Sequence, residues 1–180
     1  MGQHAGGGQG PQRARFDLAH ASIRELLTLY SRIMEQLRER EVVRTGNNPV
    51  ADYCEALVVR ALKLRRLDRS NKGCDAVDEL DGKRYEIKGR RITKYNPSTQ
   101  LSVLRDLDSC HFDYLVGVLF DHDFAVTHGY CVPRELVKDL ADYRDYVNGW
   151  IIHVKPKLWD QQPRVRKITS ELQKAQSEWV

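Results

Sequence analysis

The sequence predicts an α/β fold, a mixed central β-sheet flanked by helices on both faces. Three observations carry this expectation. An early stretch repeats apolar residues every three or four positions, an Asp-Gly turn separates two β-prone runs, and residues 112–120 are apolar almost throughout. Periods near 3.6 and 2 distinguish helix from strand, and a continuous apolar run suits a strand covered on both faces. Because helical and strand signals alternate, packed α/β layers follow.

Residues 1–15 are glycine-rich and weakly basic, without an apolar core or cleavage site, and read as a flexible tail. A long amphipathic helix is expected over 16–41, with Ile23, Leu26, Leu27, Tyr30, Ile33, Met34 and Leu37 on one face. Its start is either near residue 17 or at Ser22, where Ser22 and Glu25 have the spacing of a capping box. After the break at 45–48, Asn48-Pro49 supplies a cap and a first-turn proline for a second helix, about 49–64. Glu55 falls at the edge of its apolar stripe, where a carboxylate is partly desolvated unless it has a partner.

Strands are expected at about 74–80 and 83–90, joined by Asp81-Gly82 as a two-residue type I′ loop. A polar loop at 93–99 leads into a short helix, 100–107. Strands 112–120 and 124–131 follow, then a helix from 133 to about 146, a strand at 150–154 and a tail helix at 168–179. At 180 residues this is one domain, 16–180, whose last part, 148–180, reads as a C-terminal extension.

With 41% hydrophobic and 30% charged residues the chain reads as soluble and globular, and no apolar run reaches the ~20 residues a bilayer requires. Cys54, Cys74, Cys110 and Cys131 form no CxxC pair, so a reducing cytoplasm fits best. No phosphate-binding glycine loop and no GxSxG elbow occurs. Asp121, His122, Asp123 and His128 are metal-ligand types, but on a strand-to-strand turn where Asp and His are ordinary. Cys110, His111 and His153 lack partners at useful spacing, and Trp150, Trp159 and Trp179 are expected to pack the C-terminal part against the sheet.

The chemistry concentrates at the hairpin. A two-residue loop sets Asp75 opposite Lys88 and Val77 opposite Glu86, and period-two alternation then puts all four side chains on one face. Asp75 and Glu86 could close on one divalent cation with Lys88 beside them. The plainer alternative is a cross-strand ion pair of Asp75 and Lys88, contributing at most ~1 kcal/mol. Around the cluster, residues 60–94 hold twelve Lys or Arg against six Asp or Glu, a setting that attracts phosphodiesters.

Asp75 followed by Glu86-Ile87-Lys88 across a hairpin, behind a helix bearing Glu55, resembles the PD-(D/E)XK nuclease superfamily of restriction-endonuclease-like fold. Residues 48–59 (NPVADYCEALVV), 71–91 and 112–124 are similar to small bacterial members of that group, and the likeness covers roughly 42–159. Cys74 stands where the motif's nominal proline would be.

The resemblance implies Asp75 and Glu86 as Mg²⁺ ligands, with Mn²⁺ able to substitute. It further implies the Ile87 carbonyl as an additional ligand, and Glu55 as an outer or second-metal ligand or a water-orienting group. Lys88 would position or deprotonate the attacking water, or stabilise charge on the phosphoryl group; the carboxylates favour its protonated form until a cation is bound. Asn71, Lys72, Arg90, Arg91, Lys94 and, on the following helix, Gln100 become DNA-contact candidates. The implied activity is a metal-dependent endodeoxyribonuclease of restriction or phage-defence type. A repair or junction nuclease, or a non-cutting binding module on the same fold, remains open, as does a homodimer formed through the first helix.

Overall fold

The computed structural model of the protein describes residues 16–68, 73–109 and 111–179. The expected tail 1–15, the DNA-contact candidates Asn71 and Lys72, and Cys110 lie outside the described residues.

Helix α1 (Ile23–Glu39) starts at Ser22, whose Oγ accepts the Glu25 N–H at 3.3 Å while Glu25 Oε2 accepts the Ser22 N–H at 2.8 Å. This reciprocal cap satisfies two otherwise orphaned donors, and it decides between the two possible starts. Helix α2 (Val50–Leu62) starts one residue later than expected, with Pro49 rather than Asn48 at the cap position, while Asn48 Oδ1 accepts the Val50 N–H at 3.1 Å. Its Cys54, Leu57 and Val58 are fully buried, as their spacing requires.

Strands β1 (Arg65–Arg66), β2 (Ala76–Val77), β3 (Arg84–Arg91), β4 (Tyr114–Phe120) and β5 (Val126–Pro133) form the body of the main sheet. Helix α3 (Arg134–Leu140) leads to a separate antiparallel pair, β6 (Ala141–Arg144) and β7 (Gly149–Ile152). Then come α4 (Pro156–Trp159), β8 (Arg166–Lys167) and α5 (Thr169–Ser177). The main sheet has the order β1-β2-β3-β4-β5-β8; β3 and β4 are parallel and all other neighbours antiparallel. The expected mixed sheet is therefore present and is mostly antiparallel.

β4 lies at the centre. Val116, Val118 and Phe120 face a core with Cys54, Leu57 and Val58 of α2 and Leu172 of α5. Leu115 and Leu119 face a second core with Leu101, Leu104, Val137, Ile152 and Trp159. Covering on both faces explains the unbroken apolar run, since each such side chain contributes roughly 1.5–3 kcal/mol when fully buried.

Three elements differ from expectation. Residues 100–107 are not a helix. Instead, Leu101 N–H donates to the Ile152 carbonyl (2.9 Å), and Leu104 and Trp150 exchange backbone bonds at 3.0 and 2.8 Å. The three-residue apolar spacing is thus read by an extended segment whose backbone is satisfied by β7, and helical geometry survives only in a 3-10 turn, Leu107–Ser109. The helix expected to reach residue 146 stops at Leu140, where Ala141 becomes extended (φ −119°, ψ 156°) and enters β6. Consequently the strand expected at 150–154 joins this small sheet rather than the main one.

Gly89 sets how closely α2 approaches β3. A Cβ there would lie 2.7 Å from Cys54 Cβ and 2.9 Å from Cys54 Sγ. Gly89→Ala is expected to cost about 1–3 kcal/mol through this overpacking, read as a lowered urea midpoint with an unchanged slope. An unchanged midpoint would show that α2 yields freely.

Candidate functional site

The hairpin carries the candidate ligands, but its register differs from the expected one. Ala76 pairs with Tyr85 and Val77 with Arg84, two residues away from the expected pairing. A type I′ turn needs positive φ at both central residues, and Gly82 (φ 73°) has it while Asp81 does not. The loop instead has four residues, 79–82. Asp78 N–H donates to the Lys83 carbonyl (2.8 Å), Gly82 N–H to the Asp78 carbonyl (2.9 Å), and Asp78 Oδ1 accepts the Leu80 N–H (2.9 Å). A slip of two preserves the period-two alternation, so Val77, Glu86 and Lys88 keep their common face.

Asp75 sits just before β2, where regular pairing ends. Its N–H donates to the Tyr85 carbonyl at 2.8 Å, and its Oδ2 accepts the Ile87 N–H at 2.7 Å. The carboxylate is thereby held against the Glu86-Ile87-Lys88 segment. Glu86 is buried and bonds through Oε1 to the half-buried Lys88 ammonium. Burial first, and then the nearby Glu86 charge, push the Asp75 carboxyl up to about 6, against the pull of Lys88 and the Ile87 N–H. For Lys88, burial alone would lower the ammonium; Glu86 and Asp75 outweigh it and hold the group above its ordinary value. The two carboxylates and the lysine thus form one interacting cluster that retains surplus negative charge.

Glu55 approaches from α2 but is committed to guanidiniums. Its Oε2 accepts from Arg44 at 2.5 Å and from Arg66 Nη2 at 2.9 Å. One turn earlier, buried Asp52 accepts the Arg44 N–H (3.0 Å), the Thr45 N–H (2.9 Å) and the Thr45 hydroxyl (2.8 Å). Arg66 also donates to the Asp52 carbonyl at 3.1 Å. Asp52, Glu55 and Asp75 line a cleft of about 230 Å³ together with Arg44, Asp68 and Cys74. Sequence reasoning missed Arg44, Asp52 and Arg66. The three-residue step from Asp52 to Glu55 on one helix was a usable signal for a paired acidic face, whereas nothing in the spacing of Arg44 and Arg66 announced their partner.

The remaining candidates spread along β3 and beyond. Arg90 follows Lys88 on the same strand face and donates to the Ser98 carbonyl (3.2 Å) and to Asn96 Oδ1 (2.8 Å). Arg91 bonds the His122 carbonyl and stacks over the Phe124 ring at 4.2 Å. Lys94 is exposed beside the Tyr95 ring at 4.8 Å. Gln100 lies on the extended segment paired with β7, not on a helix, with its N–H on Ser98 Oγ at 3.2 Å. At the 121–123 turn, Asp121 Oδ1 accepts the Asp123 and Ala125 N–H groups, an ordinary turn cap.

Among the described residues, no three His, Cys, Asp or Glu side chains gather closely enough to hold a metal ion by themselves. Cys54, Cys74 and Cys131 are free and buried, and burial raises the Cys54 thiol far above its ordinary value, so it serves as packing. No described helix is long and apolar enough to cross a membrane. Compared with known proteins, the chain matches no family model, and no curated protein matches it.

Proposed function

We propose that the protein is a Mg²⁺-dependent endodeoxyribonuclease of restriction-endonuclease-like fold. The observation that carries this reading is the Asp75–Glu86–Lys88 cluster, in which burial and the neighbouring Glu86 charge hold the Asp75 carboxyl above its ordinary value although Lys88 stands beside it. Such a pair fits a hard divalent cation. Mg²⁺ commonly takes one or two protein carboxylates and completes its shell with waters and substrate phosphates, so a two-carboxylate site needs no third acidic side chain. Asp75 and Glu86 would hold the ion, with the Ile87 carbonyl as the further ligand. Bound there, it would polarise the scissile phosphate and sharpen the attacking water.

Lys88, held as an ammonium, would orient that water and stabilise charge on the phosphoryl oxygens. Glu55 would hold Arg44 at the cleft, with Arg66 bonded to it from beside the cleft. Arg90, two residues beyond Lys88, would contact phosphate in exchange for its bonds to Ser98 and Asn96. The α2, hairpin and two-strand order supports the fold reading. The extended 100–104 segment, where the family pattern has a helix, departs from it.

The test incubates pure protein with supercoiled, linear, nicked and branched DNA, with Mg²⁺ or with EDTA. Cleavage that needs Mg²⁺, and that falls at least ~100-fold in Lys88→Ala, is the expected result. Absence of metal-dependent cleavage on every substrate overturns the enzyme reading. A preference for branched or nicked DNA would assign the chemistry to repair or junction processing.

A second reading, a DNA-binding module that does not cut, is favoured by the internal bonding of Glu55, Arg90 and Arg91. It requires DNA retention without Mg²⁺ binding at Asp75 and Glu86, which a calorimetric Mg²⁺ titration decides.

A further inference from the structure

Helix α1 carries an apolar stripe that the described residues leave open. Ile23 is 78% exposed, Leu27 62%, Tyr30 48%, Ile33 48% and Leu26 38%. Only its C-terminal end is anchored, through buried Met34 and half-buried Leu37 against Val42, Val43, Tyr53 and Trp179. Among the described residues, no other helix or strand packs extensively along its length. The five open side chains amount to roughly 500–600 Å² per copy, at the top of the range for a monomer's largest patch and about two-thirds of the ~800 Å² per partner of a standard interface.

We propose that this face binds a second copy of the chain, with the two α1 helices packed antiparallel about a two-fold axis. Three features of the chain select that occupant. Ile23, Leu26, Tyr30, Ile33 and Leu37 fall on alternating three- and four-residue steps, a seam that a helix fills. Beside the C-terminal half of α1 lies an apolar groove of about 440 Å³, lined by Tyr30, Ile33, Leu37, Pro49, Tyr53 and Phe124. The N-terminal half of the same helix presents Ile23, Leu26 and Leu27 to solvent as an exposed ridge. Antiparallel pairing sets each ridge in the other copy's groove, which makes the surface self-complementary as a closed two-fold contact requires. In that register Ile23 of one copy meets Ile33 of the other, and Leu26 meets Tyr30.

Other occupants fit less well. Residues 1–15 offer only Met1, Ala5 and Ala14 as apolar side chains, too little to cover the stripe. The polar side of α1 carries Arg24, Arg32 and Arg38 against Glu25, Glu35 and Glu39. That balance lacks the Lys/Arg excess by which interfacial helices engage anionic lipid. The inference is independent of any cleavage activity.

Sedimentation velocity on the full chain between ~1 and ~100 µM tests it, a span that covers weak and moderate dimers. The wild type is expected to sediment at twice the 20.8 kDa chain mass at the upper concentrations. Ile23→Glu and Ile33→Lys should each weaken association at least ~30-fold, because each places an unpaired charge in the seam. Combined in one chain, the two substitutions face each other across the seam and should restore association above either single variant. Both positions are partly exposed, and far-UV circular dichroism confirms that each variant folds. A wild type that stays monomeric throughout overturns the proposal, as does a dimer that neither single substitution weakens. Failure of the double variant to recover overturns the antiparallel register.

Discussion

Asp75→Asn is expected to abolish Mg²⁺-dependent cleavage while making the metal-free protein more stable than the wild type at pH 8. The two effects share one cause. Burial and the Glu86 charge push the Asp75 carboxyl up to about 6. Between its ordinary value and 6 the folded protein binds more protons here than the unfolded chain does, so stability falls as pH rises through that window and stays lowered above it. Asparagine is neutral throughout, and its carbonyl can still accept the Ile87 N–H that Asp75 Oδ2 now accepts.

The gain is expected to be about 2–3 kcal/mol at pH 8, shrinking toward zero near pH 4, from urea midpoints at both values. Added Mg²⁺ should raise the wild-type midpoint by mass action and leave that of Asp75→Asn unmoved. A variant less stable than the wild type at pH 8 would show that the carboxylates are not in conflict. An equal response of both proteins to Mg²⁺ would place the cation elsewhere.

Asp52→Ala should be among the most destabilising single substitutions, at about 3 kcal/mol, a fall in Tm of roughly 6–12 °C for a chain of this size. Asp52 is only 5% exposed, and its carboxylate accepts three hydrogen bonds from Arg44 and Thr45. Truncation leaves two backbone N–H groups and a hydroxyl without their acceptor, and loosens the segment that delivers Arg44 to Glu55. Burial by itself would raise the Asp52 carboxyl, but the N–H donors, the Thr45 hydroxyl and Arg66 outweigh it and hold the group below its ordinary value.

A depressed carboxylate adds stability that is fully present above its unfolded value and is lost as pH falls through its folded one. The gap between wild type and Asp52→Ala should therefore narrow below about pH 4. A gap of the same size at pH 3 and pH 7 would show that packing, not the ionised carboxylate, carries the effect.

Much of this arrangement was legible from short-range chemistry. The cap at Ser22, the Asn48-Pro49 start, the buried stripe of α2 and the apolar run of β4 each depend on neighbours within a few positions. Their spacing therefore stated their geometry in advance. The common face of Val77, Glu86 and Lys88 was also legible, and it survived a wrong turn assignment because a two-residue slip leaves strand alternation unchanged. Asp81-Gly82 misled because the turn type depends on Asp78, whose side chain and carbonyl organise a four-residue loop. Residues 100–107 misled because their backbone partner, β7, lies more than forty residues further along the chain.

Local pattern thus determined the first two helices and the tail helix, which strand is central, and that two carboxylates and a lysine stand close together on one hairpin. Folding alone decided that Glu55 is held by Arg44 and Arg66, that Asp75 turns its carboxylate onto the Ile87 N–H, and that no other described segment covers the apolar side of α1. The physical reason is range. Capping and periodicity act over one or two turns of chain, whereas ion pairs, desolvation and the covering of an apolar face depend on segments that only the folded chain brings together.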